Sequence, residues 1–178
     1  VKDHSGYIDV KSVENLGTAF TLYFPVTHTE LRLQPSGIPL DRLTGAGERI
    51  LVVDDMRDQR EIASVMLRKL GYTVAAAASG EEGVRAVRKQ SFDLVVLDMV
   101  MDPGIDGLET LRRILAYRPG IKTVIASGYS DTGSVQEALS LGAGQYVKKP
   151  YSLEDIGNAV RLALASSEEP SSATGFVG

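Results

Sequence analysis

"FDLVVLDMVMDPGIDGLETLRRILAYR", residues 92–118, carries a strand, a turn and a helix in one run. Leu94 to Leu97 are apolar at every position, and the run ends in Asp98. Consecutive rather than alternating apolar residues imply a strand covered on both faces, as in a parallel sheet under helices. Pro103-Gly104 and Asp106-Gly107 then punctuate a turn. Beyond them Leu108, Leu111, Ile114 and Leu115 fall on one helical stripe, which Pro119 stops. A carboxylate at the mouth of a buried strand is costly to desolvate unless something binds it. The fold and the chemistry therefore meet at Asp98.

The same unit recurs on both sides. "RILVVDD" (49–55) reads as a buried strand, followed by a helix with apolar positions Ile62, Val65, Met66 and Leu70 that Gly71 closes. "YTVAAAA" (72–78) precedes the helix "GEEGVRAVRKQ" (80–90), and "KTVIAS" (122–127) precedes the weaker helix "TGSVQEALSLG" (132–142). "QYVKKP" (145–150) leads into "SLEDIGNAVRLALA" (152–165), with Ser152 placed to cap it. Five strand–helix pairs predict an α/β fold, a doubly wound five-stranded parallel sheet in the flavodoxin-like order 2-1-3-4-5. Half of a larger nucleotide-binding fold is the competing topology.

The flanks differ in texture. "GYIDVKSV" and "TAFTLYFPV", joined by "ENLG", predict an N-terminal β-hairpin fragment within residues 1–27. An isolated hairpin is marginal in water, so these strands belong with a larger sheet. Residues 28–47, rich in Gly and Pro, read as a linker ahead of a domain spanning 48–166, and 167–178 as a disordered tail. The first residue is Val1, so the 178-residue chain reads as a piece of a longer protein. A net charge of −4 argues against a nucleic-acid partner. The absence of cysteine removes thiol chemistry and cysteine-ligated zinc and suits a reducing compartment. No apolar stretch nears the ~20 residues of a membrane span, so the expectation is a cytoplasmic segment without direct membrane contact.

Ligands of such sheets sit beyond the carboxyl ends of the strands. Asp54-Asp55, Asp98, Ser127 and Lys149-Pro150 all fall there. In the predicted order the acidic pair faces Asp98. Two carboxylates about 4 Å apart repel by about 4 kcal/mol at an effective dielectric of ~20, so three ionised ones call for a cation. An oxygen-only cluster suits Mg2+. Ser127 and Lys149 beside it suit a phosphoryl group, which one carboxylate can attack in line.

Through "ILVVDD", "DLVVLDMVMDPGIDG", "VIASGY" and "YVKKP", residues 48–166 resemble the receiver domain of response regulators. The resemblance implies that Asp98 accepts a phosphoryl group from a histidine kinase or histidine phosphotransfer domain. It implies Mg2+ on Asp54, Asp55, Asp98 and the Val100 backbone carbonyl, with Ser127 and Lys149 sensing the phosphoryl group and Tyr146 as the switch aromatic. It also implies a cis peptide before Pro150. The loop from Asp98 to Pro103 is one residue longer than the family's D-x-x-M-P pattern; the extra acid, Asp102, is expected to face solvent, with an approach to the metal as the alternative. Val100 and Tyr129, two positions beyond Asp98 and Ser127, flank the expected water path to an acyl phosphate.

Residues 1–27, through Gly17-Thr18-Ala19-Phe20, resemble the last strands of a histidine-kinase ATPase domain without its ATP-binding boxes. Together the resemblances imply a hybrid histidine kinase. Two rivals stand beside that reading. A degenerate receiver would bind a protein without phosphorylation, but every chemical position is filled. An aspartate-nucleophile phosphatase would want an acid at position 100, which is valine. His4 precedes a glycine turn rather than lying on a helix, and "GAGERI" precedes a strand, so neither is a phosphohistidine nor a dinucleotide motif. The last two helices offer a face for a homodimer.

Overall fold

The computed structural model describes residues 6–15, 17–26, 39–128 and 132–166. The chain forms two units, Val1–Ser36 and Gly37–Gly178. His4, Tyr129, most of the predicted linker and the predicted tail lie outside the described residues.

In the first unit β1 (Tyr7–Val13) pairs antiparallel with β2 (Gly17–Tyr23). Ile8 faces Leu22 and Val10 faces Phe20 across the ladder. Side chains alternate along a strand, so these four share one face, and all four are exposed within this unit. The other face is mixed, with the Tyr7 and Tyr23 rings 6.1 Å apart.

The second unit alternates strand and helix throughout: β3 (Arg49–Val53), α1 (Arg57–Lys69), β4 (Thr73–Ala77), α2 (Gly80–Lys89), β5 (Leu94–Asp98), α3 (Gly107–Tyr117), β6 (Lys122–Ser127), α4 (Thr132–Ser140), β7 (Gln145–Lys148) and α5 (Leu153–Ala165). All pairings are parallel, in the order β4-β3-β5-β6-β7, which is the predicted 2-1-3-4-5. The strands feed two cores. Leu51, Val53, Val95, Leu97 and Ile125 pack toward α2, α3 and α4 with Val84, Leu111 and Val135. Ile50, Val52, Leu94, Val96 and Val124 pack toward α1 and α5 with Leu67, Leu70, Ile156 and Val160. Each fully buried Leu, Ile or Val contributes about 1.5–3 kcal/mol, which is why the apolar runs settle as central strands. Ser79, Asp106 and Ser152 cap α2, α3 and α5, Ser152 in a reciprocal box with Asp155.

Two expectations change. Helix α1 buries Ala63 and Leu67, with Leu70 buried just past its end as expected, while Ile62 and Val65 stay 53% and 56% exposed. Its apolar residues form a stripe wider than the contact, and the small Ala63 lets the helix sit close to the sheet. Leu43, which falls in the predicted linker, is 1% exposed in the α1–α5 core. The Tyr72 hydroxyl donates to the Leu43 carbonyl at 3.2 Å and the Gly45 amide to the Leu70 carbonyl at 2.8 Å. A short 3-10 turn at Leu40–Arg42 precedes them, so the packed unit begins ahead of residue 48.

Candidate metal and phosphoryl site

Five side chains converge at the carboxyl ends of the strands. Asp54 and Asp55 follow β3, Asp98 and Ser127 end β5 and β6, and Lys149 follows β7. Strand register does most of the positioning: β5 lies between β3 and β6, so Asp98 sits between the acidic pair and Ser127. The Lys149 ammonium lies 2.7 Å from Asp54 Oδ2 and 2.8 Å from Asp98 Oδ2, with all three side chains largely buried. The Lys149 amide donates to the Ser127 carbonyl at 2.8 Å, tying the β7 end to the β6 end. The Lys149–Pro150 peptide is cis, as the resemblance implies, and so is Asp102–Pro103.

Backbone amides orient the carboxylates. Met56 N–H donates to Asp54 Oδ1 at 2.9 Å, Val100 N–H to Asp98 Oδ1 at 3.3 Å, and Asp102 N–H to Asp55 Oδ2 at 3.2 Å. Arg60, one turn into α1, donates to the Asp54 and Asp55 carbonyls at 2.6 and 3.2 Å. Among the described residues, two buried side-chain polar atoms have no partner: Asp55 Oδ1 and Ser127 Oγ. Leaving either so costs about 1–3 kcal/mol.

The electrostatics are lopsided. Burial pushes the Asp98 carboxyl above its usual range; Lys149 opposes this, and the neighbouring Asp54 adds to it. Burial pulls the Lys149 ammonium down, but the two carboxylates outweigh it and the net direction is up. Burial also raises the nearby Tyr151 phenol. Asp54, Asp55 and Asp98 offer carboxylate oxygens within 4.8 Å of one another. Three carboxylates against one ammonium leave a net negative, all-oxygen cluster, and one of its oxygens, Asp55 Oδ1, has no partner. That donor set fits a hard divalent cation such as Mg2+.

The remaining predicted residues stand at the rim. Val100 is 60% exposed and reaches the site through its amide. Tyr146, opposite Ile125 in the β6–β7 ladder, is 39% exposed. Asp102 also enters through its backbone: its amide, not its carboxylate, contacts Asp55. The sequence reading passed over Arg60 and Glu81, both of which bind backbone around the site. Their one visible signal is a charged residue within seven positions of a strand end.

Residues 50–161 match the model of the family described as response regulator receiver domain. Sporulation initiation phosphotransferase F of Bacillus subtilis (strain 168) is 36% identical over 117 residues, covering 66% of this chain and 94% of that protein. Transcriptional regulatory protein ZraR of Escherichia coli (strain K12) is 40% identical over 116 residues, 65% of this chain. The chain spans about a quarter, 26%, of that relative's length. Among solved structures, a response regulator receiver domain protein from Clostridium thermocellum superposes with TM-score 0.63 at 31% identity, over 66% of this chain and 94% of that one. The receiver domain of NtrX from Brucella abortus gives TM-score 0.64 at 28% identity, over 66% and 99%. A parallel sheet in this order, an acidic cluster at its carboxyl ends and a family match over residues 50–161 agree: the chain belongs to the response regulator receiver domain family.

Proposed function

We propose that Asp98 accepts a phosphoryl group from a phosphohistidine on a histidine kinase or histidine phosphotransfer domain. One observation carries the reading: two partnerless buried atoms, Asp55 Oδ1 and Ser127 Oγ, flank a carboxylate already paired with Lys149. An Asp98 oxygen attacks phosphorus; the P–O bond forms as the P–N bond breaks, and the imidazole leaves with the electron pair. Asp54, Asp55, Asp98 and the Val100 carbonyl would hold Mg2+, which would supply positive charge to the phosphoryl oxygens when bound. Lys149 binds a phosphoryl oxygen and Ser127 donates its hydroxyl to another. Movement of Ser127 then frees space for Tyr146 to turn inward.

The phosphodonor reaches Asp98 from the strand carboxyl ends. Met56, Ile62 and Val65 expose apolar surface on the α1 side of that entrance, which suits the apolar flank of a helical partner. For the parent protein we favour a hybrid histidine kinase, because the hairpin with its open apolar face precedes the receiver in the chain. A second reading, a receiver governing a transcriptional or DNA-binding output, is supported by the names of the transcriptional regulatory protein ZraR and of the DNA-binding response regulator MtrA of Mycolicibacterium smegmatis.

The test is labelling with acetyl phosphate and Mg2+, followed by peptide mass spectrometry. The adduct maps to Asp98 and is absent from Asp98→Asn. An adduct on Asp102, or one surviving in Asp98→Asn, overturns the assignment. Turnover without a stable adduct indicates the phosphatase alternative.

A further inference from the structure

The loop from Met99 to Asp106 crosses the mouth of the site, and its amides are claimed from outside it. At its base the Gly107 amide donates to the Met99 carbonyl at 3.1 Å. Further along, Asp102 N–H reaches Asp55 Oδ2 at 3.2 Å and Ile105 N–H reaches Glu81 Oε1 at 3.0 Å. Only Pro103 and Gly104 separate these two anchors, and proline has no N–H to offer. Gly104 has φ +118°, and a Cβ there would lie 2.8 Å from Glu81 Oε1, so the loop passes directly over the carboxylate. A Cβ on the preceding Gly80 would lie 2.6 Å from Ile105 Cγ1 and 3.0 Å from the Ile105 carbonyl oxygen, so the start of α2 packs directly on the loop.

We infer that Glu81 is a positioning residue: it seats the Met99–Asp106 loop so that the Asp102 amide engages Asp55. Glu81 is not the cap of α2: Ser79 caps the helix through the Glu82 amide and Glu82 binds the Ala78 amide, while the Glu81 carboxylate adds contacts to its own amide and to Ser79. Its carboxyl is held below the usual range by its own amide and by that of Ile105, so it is ionised as it grips the loop. Asp55 has two oxygens with separate tasks. Oδ2 takes the loop amide, and that bond sets the rotation that leaves Oδ1 buried and free for a cation. The inference rests on the reading of Asp55 as a metal ligand. Groups that orient a ligand typically change metal affinity about 10–100-fold, and Glu81 acts one bond further out, so about tenfold is expected.

Amide hydrogen exchange of the metal-free protein and Mg2+ titration calorimetry, on the full chain, test this. Exchange at Asp102 and Ile105 is read against core amides of β5, which report any global loss of stability, and the titration is run well below each variant's melting temperature. Glu81→Ala speeds exchange at Ile105 and Asp102 and weakens Mg2+ binding about tenfold. Glu81→Gln, which keeps an acceptor oxygen, restores both. Wild-type exchange at Asp102 in Glu81→Ala overturns the inference, as does weaker Mg2+ binding without faster exchange at Asp102, or a glutamine variant as impaired as the alanine one. Asp55→Asn separates the two readings. If it binds Mg2+ like wild type, the metal-site reading fails, while faster Asp102 exchange in metal-free Glu81→Ala still upholds Glu81 as the residue that seats the loop.

Discussion

Replacing Lys149 by methionine keeps the length of the side chain and removes its charge. The ammonium lies 2.7 and 2.8 Å from two carboxylates and its side chain is 12% exposed. At an effective dielectric of ~20 each contact is worth roughly 6 kcal/mol gross, most of it offset by desolvation of the ions. What remains on removal is the penalty of leaving Asp54 and Asp98 buried and uncompensated, about 3–5 kcal/mol. The carboxylates also repel: at the 4.8 Å limit of their separation the cost is roughly 3.5 kcal/mol at the same dielectric. The ammonium and a cation compete for the same oxygens, so Lys149→Met should bind Mg2+ more tightly than wild type. Urea unfolding in EDTA and then in rising Mg2+ measures both effects. The variant should be about 3–5 kcal/mol less stable in EDTA, and the gap should narrow as Mg2+ saturates the site, since a ligand at 100 times Kd adds about 2.7 kcal/mol. A variant as stable as wild type in EDTA, with unchanged Mg2+ affinity, would refute the reasoning.

Other outcomes follow from the same contacts. Asp98→Asn leaves Lys149 paired with Asp54 and relieves repulsion, so thermal melting at pH 7 in EDTA should match or exceed wild type. The raised Asp98 carboxyl binds its proton more tightly folded than unfolded, so stability falls as pH rises from the unfolded value of ~3.9 through the folded one; this slope should be absent from Asp98→Asn. Lys149, also raised, gives the same sign in an alkaline window: its contribution is complete below the unfolded value of ~10.4 and is lost as pH rises through the folded value, so Lys149→Met should lack that alkaline loss. Deleting residues 1–38 should leave the melting curve of the receiver unchanged, whereas deleting 1–46 removes buried Leu43 and should cost about 2–5 kcal/mol by urea unfolding. Ile62→Asp with Val65→Asp should leave labelling by acetyl phosphate intact and slow transfer from a phosphohistidine protein at least tenfold in a stopped-time assay.

The five strands were legible because runs such as Leu94–Leu97 are apolar at every position, a pattern with few uses outside a covered parallel sheet. Once the sheet order is set, Asp54, Asp55, Asp98, Ser127 and Lys149 meet by topology alone, so spacing along the chain was enough to collect them. Helix α1 was harder. Ile62, Val65, Met66 and Leu70 satisfy a helical stripe as well as Ala63, Leu67 and Leu70 do, and only the neighbouring sheet decides between them. Leu43 stands among glycines and prolines with no periodicity to announce it. Arg60, Glu81 and Asp102 act through backbone atoms of other segments, and a hydrogen bond to a distant carbonyl or amide leaves no repeat to read. Asp102 shows the difference well: its side chain drew attention, and its N–H makes the contact.

Leu43 anchors the chain where it enters the packed unit, beside the amino end of β3, while Asp54 lies just past the other end. Five residues of strand, about 16 Å, separate the two poles. Tension arriving along the preceding segment is therefore grounded in the Leu43–Tyr72 and Gly45–Leu70 contacts before it reaches the acidic cluster. The chemistry is mechanically insulated from its own tether. Strain applied at the amino end of β3 meets packed core first, while the opposite pole keeps a rim open to a partner, where Val100 and Tyr146 are exposed.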